Sequence, residues 1–147
     1  MGLTGLESLP EFVEHNRRNY YQYREALSKV TGITLLAHNE VESGNFQYIV
    51  LEIDSEATRI DRDQLVKVLH AENVLARRYF HPGCHRMEPY RTEDPGAGSR
   101  LPVTERLADR VLVLPTGPAL KPSDIDQVCA LVRLAVTHAE ELERLAA

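Results

Sequence analysis

The chain has 147 residues, a formal net charge of −5, 43% apolar and 27% charged side chains, the profile of one ordinary globular domain. The acidic balance argues against nucleic-acid binding, which needs a basic footprint. Two cysteines, Cys84 and Cys129, are too few for a disulfide scaffold, and neither a membrane-spanning run nor a signal-peptide pattern is visible, so no membrane association and a cytoplasmic location are expected.

Ser8-Leu9-Pro10-Glu11 has the form of a capping box, with proline where no intrahelical donor is required. Thr4 and Glu7 offer a second box and predict a short lead-in turn. From Phe12 onward, Val13, Tyr20, Tyr23, Leu27 and Val30 approximate one helical stripe, and Gly32 supplies a left-handed stop. Such a helix is about 33 Å long, so Tyr20, Tyr21 and Tyr23 are expected to pack against another helix or domain rather than form a stacking patch. Residues 33–36 read as a short strand and 37–44 as a polar connection. Residues 45–54 form the clearest strand. There Tyr48, Val50 and Glu52 alternate with Ile49, Leu51 and Ile53, both faces are largely apolar, and the strand belongs inside a sheet.

Asp61 with Gln64 caps the next helix, which buries Leu65, Val66 and Leu69 and ends at Asn73. Residues 74–80 are predicted to return as a strand whose first residues, Val74 and Leu75, are buried. Residues 92–102 have loop composition, and 104–110 form a short helix. Residues 111–114 form a buried strand, stopped by Pro115-Thr116-Gly117-Pro118. Pro122 and Ser123, with Asp126 as a box-like cap, open one last helix along the stripe Ile125, Val128, Val132, Ala135, Ala139, Leu142 and Ala146. This order predicts an α+β fold, with helices packed on a small, mostly antiparallel sheet and a long helix at the N-terminus.

Proton donors, anion binders and aromatic rings concentrate in residues 76–91, ARRYFHPGCHRMEPYR. His81, Cys84 and His85 supply three ligand types, but structural zinc needs a fourth, and Cys129 lies in the last helix's apolar stripe, so no metal site is assigned. Cys84 beside His85 lacks an orienting third group for nucleophilic chemistry. Arg77, Arg78, Arg86 and Arg91 suit an anion clamp, or equally a solvated strand edge paired to acids. Strand alternation would put Arg77 with Tyr79 on one face and Arg78 with Phe80 on the other.

Taken together, these segments resemble the C-terminal part of the DegT/DnrJ/EryC1/StrS family of sugar aminotransferases, which use pyridoxal phosphate. Met1-Gly2-Leu3-Thr4-Gly5-Leu6 looks like the tail of that family's A-A-x-G-L-x-x-L segment. Asn16-Arg17-Arg18 with Tyr23 and Leu27 matches the long helix that follows. Arg78-Tyr79-Phe80 with Pro82, His85 and Tyr90 matches its Y-x-P-x-x-H stretch. Val113-Leu114-Pro115 and Asp124-Ile125 match its closing L-P…D-I pattern.

The resemblance implies a single domain over residues 1–147, with 1–32 as a bridging helix and 33–147 as the small domain of a fold-type I aminotransferase. It implies that the chain begins at what would be an internal methionine and lacks the large domain. That domain carries the Schiff-base lysine, the aspartate on the pyridine nitrogen and most of the phosphate cup. Of the lysines here, Lys29, Lys67 and Lys121, none sits in a cofactor-lysine context. No catalytic residue and no bound cofactor are therefore expected of this chain alone; pyridoxal phosphate belongs to the intact enzyme.

By resemblance His85 faces the substrate, Tyr79 and Tyr90 support the sugar, and Arg78 meets the nucleotide's phosphates. His81 departs from the family pattern, as a specificity feature or as an exposed residue. From the residues themselves, Pro82-Gly83 would break the strand and let His85 turn toward a cleft. The first functional reading is a truncated or separately encoded part of a nucleotide-sugar aminotransferase. The second is a stand-alone module binding a nucleotide-sugar or a full-length relative. A small metal enzyme around His81 and His85 is the third. An uncovered face of the first helix, carrying Phe12, Val13, Tyr20, Tyr23 and Leu27, predicts a homodimer or association with a large domain.

Overall fold

A computed structural model describes residues 2–39 and 44–146, and the side chains of all of these except 2–4, 145 and 146. The strand with two apolar faces is indeed the middle one. β1 (Ile33–Leu35), β2 (Ile49–Ile53) and β3 (Val111–Leu114) form an antiparallel sheet in that order, with Ile33 opposite Ile53 and Leu51 opposite Leu112. Because side chains alternate, one face carries Ile49, Leu51, Ile53, Leu112 and Leu114, all buried. The expected α+β fold, helices on a small antiparallel sheet, is what the chain adopts.

Three helices seal that face. α1 (Gly2–Glu7) leads into α2 (Leu9–Leu27), which buries Tyr20, Tyr23 and Leu27 against the core. The phenols keep hydrogen bonds there: Tyr20 donates to Leu36 O at 3.2 Å and Tyr23 to Pro115 O at 3.1 Å. Most of the stripe expected to face a partner is therefore internal. Among the described side chains, the large apolar residues α1 and α2 leave exposed are Leu6, Leu9 and Phe12. Ser8 does not make the expected capping box: it lies in the helical region (φ −87°, ψ −8°) because α1 runs almost directly into α2, and a cap needs extended backbone. The Thr4–Glu7 box involves a side chain outside the described residues, as does Ala146 of the last stripe; part of the 37–44 connection also lies outside them.

Asp54 caps a short α3 (Ser55–Thr58), and Asp61 caps α4 (Arg62–Ala71) in the expected reciprocal box. In that box Gln64 N–H donates to Asp61 Oδ1 at 2.7 Å and Asp61 N–H to Gln64 Oε1 at 2.8 Å. Asn73 takes the left-handed conformation (φ 60°). The segment after it is the main departure. Residues 74–80 are not a strand: Ala76 N–H folds back on Val74 O, and only Arg77 pairs with the sheet, through an isolated bridge to Val113. Tyr79 N–H then folds back on Arg77 O, so the ladder cannot propagate. Leu75 is 72% exposed while Ala76 is buried.

The expected loop 92–102 contains short helical turns, α5 (Tyr90–Glu93) and α6 (Ala97–Arg100), before α7 (Pro102–Arg110). The 45–54 strand is shorter than its pattern, because Phe46 turns left-handed (φ 50°) and packs its ring near His38 and Tyr20. The last helix is two: α8 (Pro122–Thr137) and α9 (Ala139–Ala146), separated at His138. Asp124, not Asp126, accepts from the Lys121 N–H at its start, while Asp126 takes Gln22 Nε2. None of the described helices is long and apolar enough to cross a membrane.

Cys129 of α8 is fully buried, and burial pushes its thiol up to about 11; burial likewise raises the Tyr23 phenol. The unfolded chain's thiol ionises near 9.0, so above that pH the unfolded state loses a proton the folded state keeps, and stability falls as pH rises. Urea unfolding at about pH 8 and pH 10.5 should show a loss about 2 kcal/mol smaller in Cys129→Ala than in the unaltered chain, the Tyr23 part remaining.

Candidate functional site

Beyond its bridge to Val113, the chain turns away from the sheet and crosses Gly83 (φ 86°) into a single 3-10 turn, Cys84–Arg86. A Cβ at Gly83 would lie 2.9 Å from the His85 ring, so glycine allows both the left-handed backbone and the ring's close approach. The His85 side chain is only 9% exposed, and its Nε2 lies 2.6 Å from Glu105 Oε1 on α7. A carboxylate only accepts, so Nε2 carries the proton and donates. Arg86 Nε donates to the same oxygen at 3.1 Å, and its Nη2 makes a close ion pair with Oε2. Glu105 thus staples the turn to α7.

His85 sits at the edge of a groove of about 890 Å³ between α7 and the sheet face that no helix seals. Val50, Val111 and Val113 form its floor, Leu107 and Phe80 its walls. Phe80, 75% exposed, stands at the rim. Tyr79 lines the same groove, its ring edge-to-face with Tyr48 at 5.5 Å.

The structure therefore brings His85 and Tyr79 together and places the other expected contacts elsewhere. Arg78 Nη1 is 3.3 Å from Asp63 Oδ1. Partial burial alone would raise the Asp63 carboxyl, yet the Arg62 and Arg78 guanidiniums hold it below the usual carboxylate range. His81 is exposed, with Nδ1 3.4 Å from Arg62 Nη2. Tyr90 is 57% exposed on α5 and is not among the groove residues. His81, Cys84 and His85 do not converge, and no group of three or more His, Cys, Asp or Glu among the described residues is arranged to hold a metal. Glu105 and Phe80 escaped the sequence reading. Glu105 is one of 22 acids and lies twenty positions from its partner, so no spacing rule marks it.

The small antiparallel sheet with its packed helices and long N-terminal helix is an α+β architecture shared with fold-type I sugar aminotransferases. The chain belongs to the DegT/DnrJ/EryC1/StrS aminotransferase family, whose profile matches residues 1–133. It is 34% identical over 114 residues to the dTDP-4-amino-4,6-dideoxy-D-glucose transaminase of Escherichia coli, covering 78% of this chain and 30% of that protein. It is 31% identical over 141 residues to the dTDP-4-dehydro-2,3,6-trideoxy-D-glucose 4-aminotransferase of Saccharopolyspora spinosa, covering 94% and 34%. It superposes on the crystal structure of DesI with its TDP-sugar product at a TM-score of 0.91 and 47% identity, covering 99% of this chain and 36% of that one. The chain thus spans about a third of the length of these relatives.

Lys29, Lys67 and Lys121 are all exposed and none lines the groove, so nothing here fits a Schiff base to pyridoxal phosphate.

Removing the Glu105 carboxylate strands two donors at once. Glu105→Ala should lower stability by about 1–3 kcal/mol, and Glu105→Gln by less, in urea unfolding. In the alanine variant, imidazole ¹⁵N spectra should lose the preference for the Nε2-protonated form of His85.

Proposed function

We propose that this chain is the C-terminal part of an aminotransferase acting on nucleotide-linked keto-deoxysugars, where it closes over the substrate and contacts the sugar. The observation carrying this reading is the position of His85, buried on Glu105 at the edge of an open apolar groove. An imidazole there can hydrogen-bond a sugar hydroxyl. Tyr79 stands beside it. Arg78, His81 and Tyr90 meet a ligand only if it extends past the groove. Pyridoxal phosphate, when bound by the remainder of such an enzyme, supplies the electron sink for amino transfer.

A second reading, a stand-alone module binding a nucleotide-sugar or a full-length relative without catalysing anything, is favoured by the closed core. Tyr20, Tyr23, Leu27, Leu51 and Ile125 are buried by these 147 residues alone. In either reading the uncovered surface seeks a partner: Leu36, Phe80 and Leu107 border the groove, and Leu9 and Phe12 start α2.

Supplying the family's N-terminal two thirds as a separate polypeptide tests the first reading. The 147-residue chain alone should form no aldimine absorbance with pyridoxal phosphate and no borohydride-trapped adduct at Lys29, Lys67 or Lys121. The combined chains should transaminate, and His85→Ala should reduce kcat/KM by about 1–3 kcal/mol. Unchanged kinetics would take His85 out of the site, and no restored activity would favour the stand-alone reading. Alone at high micromolar concentration, the chain should scatter light as a dimer; a clean monomer would count against association through these faces.

A further inference from the structure

The large apolar side chains that residues 74–80 leave exposed are Leu75 and Phe80, and they serve different surfaces. Phe80 stands at the rim of the His85 groove. Leu75 stands between two further grooves and lines both, as does Pro115. One groove, of about 740 Å³, lies between residues 72–75 and α8 and takes in Leu131 and Leu134. The other, of about 610 Å³, is bounded by the start of α2, residues 45–48 and residues 113–118, and takes in Leu9 and Phe12. Leu134 is 56% exposed, and Leu9 and Phe12 are exposed as well. Exposed apolar surface thus continues across Leu75 from the start of α2 to α8, the mark of a protein–protein contact. His85 lines neither groove.

The charges on the two sides of Leu75 are opposite. Glu72 and Asp124 line the α8 groove, and no described lysine or arginine does. Arg77 lines the α2 groove, and no described Asp or Glu does. The other arginines of residues 76–91 are engaged: Arg78 pairs with Asp63, Arg86 with Glu105 and Asp109, and Arg91 with Glu88. Arg77 has no carboxylate partner among the described residues, and Val113 holds its backbone through hydrogen bonds of 2.9 and 2.8 Å. A guanidinium on one side and two carboxylates on the other make this surface complementary to a copy of itself. A two-fold axis lying in the surface, along the line through Leu75, lays the α2 groove of each copy on the α8 groove of the other. Leu75 then meets its own counterpart, and Arg77 faces the partner subunit's Glu72 and the partner subunit's Asp124.

We propose that this chain pairs with a second copy through the surface centred on Leu75. The apolar strip drives association, and the charges set its register and exclude other pairings. The inference goes beyond the functional reading: it needs no cofactor, sugar or large domain, and it leaves His85 outside the interface.

Sedimentation equilibrium of the 147-residue chain tests it. The chain should be a concentration-dependent dimer whose Kd rises with salt, because the opposed charges are screened. Leu75→Asp should raise the Kd by about thirtyfold or more. Phe80→Asp, the same kind of change at a similarly exposed residue of the other surface, should leave it unchanged. Arg77→Glu and Glu72→Lys should each raise the Kd by about tenfold. Combined in one chain they should restore it, because the reversed charges again oppose. Glu72 is altered rather than Asp124, because Asp124 also accepts the Lys121 N–H at the start of α8. All four altered side chains are exposed, so each variant should keep the ¹H–¹⁵N dispersion that certifies its fold.

A clean monomer up to about 1 mM would overturn the proposal, as would a dimer that survives Leu75→Asp or dissociates with Phe80→Asp. A double charge reversal no tighter than its single parents would also overturn it, because the charges would then not meet. A monomeric chain that binds the N-terminal two thirds of a relative only while Leu75 is intact would assign the surface to that partner instead. That result would overturn the pairing of copies and leave the functional reading standing.

Discussion

The guanidinium of Arg62 is 2% exposed, and four parts of the molecule meet on it. Its Nη1 donates to Ala108 O at 2.9 Å and Val111 O at 3.0 Å, and its Nε to Asp63 at 2.7 Å. Its Nη2 lies 3.4 Å from His81. The two carbonyls belong to the end of α7 and the start of β3, where a helix leaves acceptors unsatisfied and favours a cation. One side chain therefore fixes α7 against α4 and anchors Asp63, which in turn takes Arg78. Removing this guanidinium would leave the buried Ala108 carbonyl without its donor, at a cost of about 1–3 kcal/mol.

What depends on that anchor is the site. α7 carries Glu105, and Glu105 holds both His85 and Arg86. The placement of the proline-turn histidine thus traces back through α7 to a buried charge on another helix. The groove is the complement of the same arrangement. Helices seal the face of the sheet carrying Ile49, Leu51 and Ile53, whereas α7 crosses the face carrying Tyr48, Val50 and Glu52 only in part. The uncovered remainder stays open and apolar.

The Arg77–Val113 bridge divides this surface. On one side lies the His85 groove and on the other the groove that holds Arg77, with Tyr79 lining both. The short ladder has a local cause. The backbone folds back on itself immediately before and after Arg77, so one residue touches the sheet and its neighbours are released from strand alternation.

Periodicity and capping chemistry in the sequence determined the middle strand, the Asp61–Gln64 box, the Asn73 stop and the α8 stripe, because each depends on residues within a few positions of one another. The order of proline, glycine and histidine around Pro82, together with the flanking motifs, was enough to indicate the family. Local reasoning failed where distant groups compete for the same backbone or charge. Residues 74–80 have strand composition, but their amides are taken by turns and by a single bridge to Val113. Arg77 and Arg78 are alike in sequence, and only tertiary placement gave one to Asp63 and left the other free of any described carboxylate. Nothing in the sequence joins Glu105 to His85 or Arg62 to α7. Those contacts span twenty to nearly fifty residues, and an ion pair at that separation exists only once the helices carrying it have been packed by the core.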